Sequence, residues 1–375
     1  MRIYLDDPNV GEREKKYLLQ AVESNYLSTA GPFVPEFEKQ FARYLQAGYC
    51  VATQSGTAAL HMALYELGIK AGDEVIVPAL TFIATVNPVC YVGATPVFVD
   101  VDSATWNMDP GKIEEVITPR TRAIIPVHLY GNPCNMEEIL KIADKYGLFV
   151  IEDATESLGA LYRGRMTGTI GHIGCFSFNG NKIITTGGGG MIAVNNKERA
   201  EHIKFLVNQA RDKTVQGYFH SEIGFNYRMT NLEAALGLAQ LERVPEFLSK
   251  KRRFYQIYKD AFRDVGELTM QQEERDGISS AWLSSVKIDL SRLGLTVGDI
   301  NQILHVKGIP LRRIFLPVVD LPPYVKYRRG EYKNARELFQ TGLNLPSSTL
   351  NTPEMIEIVA GRFLDVLRKS NRFGR

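Results

Sequence analysis

Six short apolar runs punctuate the first two-thirds of the sequence, at 74–77, 96–99, 122–127, 148–151, 174–178 and 191–194. Each is four to six residues long and rich in Val, Ile or Phe, which suits strands buried on both faces. Between the third and fourth runs, residues 135–146 follow a helical pattern, with Ile139, Leu140, Ile142, Ala143 and Tyr146 on one face. Asn135 fits an N-cap there, and Gly147 stops the helix. Strand, helix, strand at this spacing requires right-handed crossovers and a mainly parallel central sheet flanked by helices. The chain therefore reads as α/β.

The pattern changes near residue 240. A helical stretch over 231–262 contains Pro245, which kinks or breaks it. A polar stretch (271–277), a strand over 282–288, a helix near 296–307, a Pro-rich loop (310–323) and a closing helix from Thr352 follow. For 375 residues this predicts two domains, a large one over 1–240 and a smaller α+β one over 241–375. A chain of this length buries enough core to fold without disulfides or a structural metal.

Charge excludes some partners. With 44 basic against 42 acidic side chains the net charge is +2, too small for the electrostatic footprint of a nucleic-acid binder. The one basic cluster, 250–253, falls on a helix and reads as a solvated face. Nowhere do 18 apolar residues run together, so no membrane span is expected. Asp6 and Asp7 interrupt the N-terminal segment before any signal-peptide core. Cys50, Cys90, Cys134 and Cys175 are far apart and lie in or beside apolar stretches, which fits buried reduced thiols and a cytoplasmic location. The six histidines show no i, i+4 pair and no nearby cysteine, so no metal site is expected.

In an open parallel sheet, ligands bind beyond the carboxyl ends of the strands. The residues that follow the runs are therefore the ones to inspect. Glu152, Asp153 and Glu156 follow one; Asn179, Gly180, Asn181 and Lys182 follow another. Thr81 and Phe82 come after Pro78, and His128 opens the stretch after 122–127. An isolated lysine in a loop is usually a surface residue. One that follows a buried strand is different, because desolvation and a nearby positive group would make it a nucleophilic amine suited to Schiff-base chemistry. Four glycines, 187–190, follow Lys182 and let the backbone turn sharply and approach a flat ligand. They lack the spacing of a dinucleotide fingerprint. Ser55-Gly56-Thr57 opens an apolar helical pattern, and is either an ordinary helix cap or a set of amides and hydroxyls presented to a phosphate. His128 reads as a packed, hydrogen-bonded residue.

Taken together, these segments resemble the DegT/StrS-type nucleotide-sugar aminotransferases, which use pyridoxal phosphate (PLP) on the aspartate-aminotransferase fold, fold type I. The resemblance runs over nearly the whole chain. It includes Ser24-Asn25-Tyr26-Leu27-Ser28, Ser55-Gly56-Thr57, Thr81-Phe82-Ile83-Ala84-Thr85, His128-Leu129-Tyr130-Gly131, Glu152-Asp153-Ala154, residues 176–182 and residues 224–229. It implies that Lys182 carries the cofactor and shuttles the proton, while Asp153 pairs with the pyridinium nitrogen. It implies that Phe82 stacks on the ring, that Glu156 meets its hydroxyl side, and that Ser177, Gly56 and Thr57 hold the phosphate. Asn226 would reach the phosphate in the neighbouring subunit, which makes the unit a homodimer with sites at the interface.

The stretches around Asn181 and Asn226 look like those of members acting at carbon 4 of a UDP- or GDP-linked 4-keto-6-deoxy sugar, such as those making perosamine or N-acetylbacillosamine precursors for surface polysaccharide. L-glutamate would be the amino donor. Asn181, Arg312 and Arg313 are the candidate substrate contacts. Many relatives place a histidine near Val319, where this chain has none. A 3-keto-sugar aminotransferase and a non-catalytic PLP-binding sensor or scaffold are the alternatives. Sugar dehydratases of the family replace the lysine, so Lys182 speaks against that activity.

Overall fold

The computed structural model describes residues 2–212 and 214–373. Seven strands make the central sheet: β1 (Tyr49–Thr53), β2 (Glu74–Pro78), β3 (Thr95–Val99), β4 (Thr121–Ile124), β5 (Phe149–Asp153), β6 (Ile173–Ser177) and β7 (Gly190–Val194). Their order is β1-β7-β6-β5-β4-β2-β3. From β6 to β3 all neighbours run parallel, whereas β7 is antiparallel to both β1 and β6. The mainly parallel sheet expected from the apolar runs is thus present. The sequence pattern missed β1, whose small Cys50 and Ala52 fall outside a search for Val-, Ile- or Phe-rich runs.

Period-2 alternation divides the sheet residues between two cores. Val75 and Val77 enter one cluster with the helix Gly56–Glu66, while Ile76, Val97 and Val150 enter another with Ile139, Ile142 and Ala143. The helix Met136–Tyr146 is capped as expected, with Asn135 Oδ1 accepting from Glu138 N at 3.3 Å and Gly147 left-handed at φ 64°. Tyr146 departs from the expected face: the buried stripe ends one turn earlier and the ring is exposed. The stretch over 231–262 breaks between the helices Asn231–Leu241 and Val244–Phe262, which puts Pro245 in a first turn, where its missing N–H costs nothing.

A second sheet has the order β8 (Leu268–Met270), β9 (Ser284–Ile288), β11 (Gly342–Leu345), β10 (Arg312–Arg313), with every pair antiparallel. Its core joins Val286 and Ile288 to Phe254, Tyr258, Ile300 and Phe363 of the surrounding helices, and Ile3 of the N-terminal segment packs there too. The basic cluster 250–253 is not solvated as a whole: Arg253 is exposed, Lys250 and Arg252 are half-buried, and Lys251 is buried. Lys251 is 4% exposed, because this side of its helix is wedged against the strands of the second sheet. Among the described residues, no helix is long and apolar enough to cross a membrane, and no group of three or more His, Cys, Asp or Glu side chains is placed to hold a metal ion. All four cysteines are free.

Candidate active site

The carboxyl ends of β1, β2, β5 and β6 open into one cavity of about 510 Å³. Of the residues singled out from the sequence, it brings together Gly56, Thr57, Phe82, Asp153, Glu156, Ser177, Asn181, Lys182 and Arg312. The second sheet supplies a wall through Trp282, Arg312 and Phe315.

Asp153 ends β5 and is buried. Its Oδ1 accepts from Thr155 N at 3.1 Å and its Oδ2 from the Thr85 hydroxyl at 2.7 Å. A carboxylate has about four acceptor positions, so it can take a further donor from the cavity. Glu156 is also buried, and its Oε2 accepts from Tyr130 N at 2.9 Å. Burial holds its carboxyl above the usual carboxylate range, against the opposing pull of Lys182 and of the Tyr130 N–H. The Lys182 Nζ lies 3.6 Å from Glu156 Oε1 and 4.0 Å from the centre of the Trp282 ring. Its contacts are therefore a carboxylate and an aromatic face. The positively charged neighbour expected from the sequence is not among them.

At the other end of the cavity, Ser55 caps the helix Gly56–Glu66, its Oγ accepting from Ala58 N at 3.1 Å. The first N–H groups of a helix have no partner within it, so the Gly56 and Thr57 amides remain to serve an anion. The cap reading of Ser55 is thus observed, and it is compatible with a phosphate held by Gly56 and Thr57. A β-carbon on Gly56 would come within 2.9 Å of Ser177 Cβ and 3.0 Å of Thr155 Cγ2, so these elements close on each other to form a tight cradle. The glycine run does two jobs. Gly187 (φ 87°) and Gly189 (φ 94°) make the turn, and a β-carbon on Gly190 would fall 2.5 Å from the Ser55 carbonyl. Gly188 and Gly189 line the cavity.

Several sequence candidates lie elsewhere. Arg313 points away: adjacent strand residues face opposite sides, and its guanidinium stacks on Phe339 at 4.2 Å and donates to the Phe339 carbonyl. Arg312 faces the cavity but is engaged, with Nη1 to Asp6 Oδ2 at 2.6 Å and Nη2 to Asp6 Oδ1 at 3.0 Å. Asn181 donates to the same Asp6 Oδ2 at 3.0 Å. Asn226 is exposed and does not line the cavity of its own chain. Glu152 serves structure, accepting from Ile170 N and Gly171 N at 2.6 Å, Gly168 N at 2.8 Å and His128 Nε2 at 3.0 Å. Since Cys134 N donates to His128 Nδ1 at 3.0 Å, the proton sits on Nε2, and His128 is the packed residue expected. Sequence reading missed Trp282, Phe315, Thr85, Thr155 and Asp6. Two of them carried a local signal: Thr155 follows Asp153 by two residues on the same strand end, and Thr85 closes the segment that begins Thr81-Phe82.

The donor set fits a flat, phosphate-bearing ring. Amides and a hydroxyl sit at one end, a buried carboxylate with spare acceptor capacity is on the floor, and an amine is at the rim. Phe82 is 53% exposed, its ring 5.6 Å from that of Phe315, so one face is free to stack. Comparison with known proteins agrees. The model of the DegT/DnrJ/EryC1/StrS aminotransferase family matches residues 8–363. A GDP-perosamine synthase of Caulobacter vibrioides is 42% identical over 367 residues, covering 98% of each chain. Among solved structures, DesI in the presence of its TDP-sugar product superposes with a TM-score of 0.91 at 30% identity, over 100% of this chain and 95% of that one. The PMP form of the putative sugar aminotransferase Spr1654 from Streptococcus pneumoniae gives 0.93 at 27%, over 100% and 99%. With its sheet, its cavity and nearly its whole length accounted for, the chain belongs to the DegT/DnrJ/EryC1/StrS aminotransferase family.

Proposed function

We propose that this aminotransferase moves the amino group of L-glutamate to a nucleotide-linked 4-keto-6-deoxy sugar, in a homodimer acting in the cytosol for surface-polysaccharide synthesis. The observation that carries the reading is the Lys182 amine, held beside Glu156 at the rim of a cavity whose floor is Asp153. The cofactor is pyridoxal phosphate, and its chemistry when bound is that of an electron sink for carbanion formation. The residues of the chain supply the rest. Asp153 presents an acceptor to the ring nitrogen, the Gly56 and Thr57 amides and Ser177 Oγ hold the phosphate, and Phe82 offers a face for stacking. Lys182 provides the amine that carries the cofactor and moves the proton, and Trp282 and Phe315 keep bulk water off that side.

Carbon 4 is supported by the relative named GDP-perosamine synthase, and a diphosphate sugar by the TDP-sugar product named with DesI. GDP is thus the first nucleotide to try, followed by UDP. The dimer is supported by Asn226, which is exposed outside its own cavity, where a second copy would bring it to the phosphate end. The division near residue 240 into a cofactor domain and a smaller C-terminal domain belongs to the same reading. Purified protein loaded with pyridoxal phosphate should lose its visible absorbance on adding glutamate and regain it with a keto-sugar nucleotide. Protein that takes up no pyridoxal phosphate would refute the proposal. GDP-, UDP- and dTDP-linked 4-keto-6-deoxyhexoses offered in parallel, with products weighed by mass spectrometry, identify the acceptor. Amination of a 3-keto substrate alone would overturn the choice of carbon.

A further inference from the structure

A lysine is almost never fully buried without a partner that repays its desolvation. Lys251, in the helix Val244–Phe262, is 4% exposed, and among the described residues it makes no ion pair within 4.0 Å. Its Nζ instead donates to two carbonyl oxygens, those of Trp282 at 3.0 Å and Ser347 at 2.9 Å. Trp282 is itself buried, and its indole N–H donates to the Asn181 carbonyl at 2.7 Å. The face of the same indole lies 4.0 Å from Lys182 Nζ. The backbone just before it is held in an unfavourable shape: Ala281 has φ 51°, fixed by a bond from its N–H to Ser279 Oγ at 2.9 Å. A left-handed alanine persists only where its surroundings over-determine it. Three restraints thus converge on one ring: an ammonium on its carbonyl, a carbonyl on its indole N–H, and a strained residue before it.

We propose that Trp282 is a positioning residue for Lys182 and that Lys251 is its anchor. The indole face attracts the ammonium and narrows the rotamers open to a four-carbon stem, while the indole N–H fixes the backbone of the residue before Lys182. The clasp from Lys251 keeps the ring at that height. This deepens the reading above, since it rests on Lys182 being the reacting amine.

The test uses the cofactor-free protein, so its outcome is separate from that of the transamination assay. Lysines are methylated with formaldehyde and cyanoborohydride, and labelling at Lys182 is measured by peptide mass spectrometry against Lys141, which is 76% exposed. Trp282→Leu should raise relative labelling of Lys182 at least threefold, and Lys251→Met should raise it while Trp282 is still present. Lys251→Arg, which keeps the paired donors, should return it to the wild-type rate. Trp282→Phe, a milder change should the leucine variant fail to fold, retains a ring face without the N–H and should fall in between. Wild-type labelling in Trp282→Leu or Trp282→Phe would overturn the proposal. So would a Lys251→Met protein that melts earlier but, while folded, labels Lys182 no faster than wild type, because that is the behaviour of a purely structural lysine.

Discussion

Lys182 Nζ stands 3.6 Å from Glu156 Oε1, and the carboxylate is the more deeply buried of the two, 3% exposed against 14%. Burial is also the largest influence on the Glu156 carboxyl and raises its pKa above the ordinary 4.5, with Lys182 and the Tyr130 N–H pulling the other way. Between 4.5 and the raised value, the folded chain keeps a proton that the unfolded chain has released. Stability from this group therefore falls as pH climbs through that window. Glu156→Gln removes the titration and keeps an acceptor for Tyr130 N. Its stability relative to wild type should rise as pH climbs from 4.5 through the window in which the wild-type carboxyl loses its proton. Urea unfolding of the cofactor-free proteins across that range checks the sign; a constant difference would show that the carboxyl does not titrate in this way.

The cradle at the phosphate end gives a second prediction. Gly56 sits in the first turn of its helix, where alanine is accepted, but an added β-carbon would meet Ser177 Cβ at 2.9 Å and Thr155 Cγ2 at 3.0 Å. Gly56→Ala should fold and bind pyridoxal phosphate about tenfold or more weakly, a loss of about 1.4 kcal/mol. Titrating cofactor into apoprotein and following the visible absorbance measures this. An unchanged affinity would mean that the two elements separate at little cost.

Glu152 predicts a failure of folding rather than of chemistry. Its carboxylate receives three backbone N–H groups and the His128 ring, all in a dry interior. Each buried donor left without a partner costs about 1–3 kcal/mol, so Glu152→Ala should destabilise the protein by about 4 kcal/mol or more. Glu152→Gln retains one acceptor oxygen and should lose less. Denaturant unfolding ranks the two, and equal losses would show that the loop 168–171 can find other partners.

What sequence reading recovered and missed at this site has a physical cause. Strand ends follow from local periodicity, so Asp153, Lys182 and Phe82 were reachable from their own neighbours in the chain. Trp282 reaches Asn181 across 101 positions and Asp6 reaches Arg312 across 306, and nothing in either local pattern encodes the meeting. Arg312 and Arg313 were inseparable until the register of β10 on β11 showed which one faces inward. The run 250–253 misled because charge was taken to mean solvent, whereas Lys251 finds two carbonyls between packed elements.

Arg312 carries a fourth prediction. Its guanidinium lies in the cavity wall and its charge is shared with Asp6, leaving donors beyond the two committed bonds. If the anionic part of the nucleotide sugar docks there, the contact is the same in ground and transition states, and its loss appears in KM rather than kcat. Arg312→Gln should raise KM for the sugar nucleotide by about tenfold, roughly 1.4 kcal/mol, with kcat within about twofold of wild type. Arg313→Gln, at the opposite face, should change neither. A drop in kcat alone for Arg312→Gln would instead assign the residue to the chemical step.

The buried ammonium of Lys251 gives the last prediction. Burial lowers its pKa from the ordinary 10.5 to about 8. Below that value both folded and unfolded chains hold the proton, and the folded state bears the full cost of a charge inside. Between about 8 and 10.5 the folded chain has released the proton while the unfolded chain keeps it, so stability from this residue rises with pH. The span of about 2.5 pH units corresponds to roughly 3 kcal/mol. Lys251→Met loses the two carbonyl bonds at every pH and has no proton to exchange. Wild type should therefore gain stability on the variant as pH rises from about 8 to 10.5, whichever of the two is more stable at neutrality. Paired urea unfolding curves measure the slope, and a flat difference across that range would place the ammonium in contact with water.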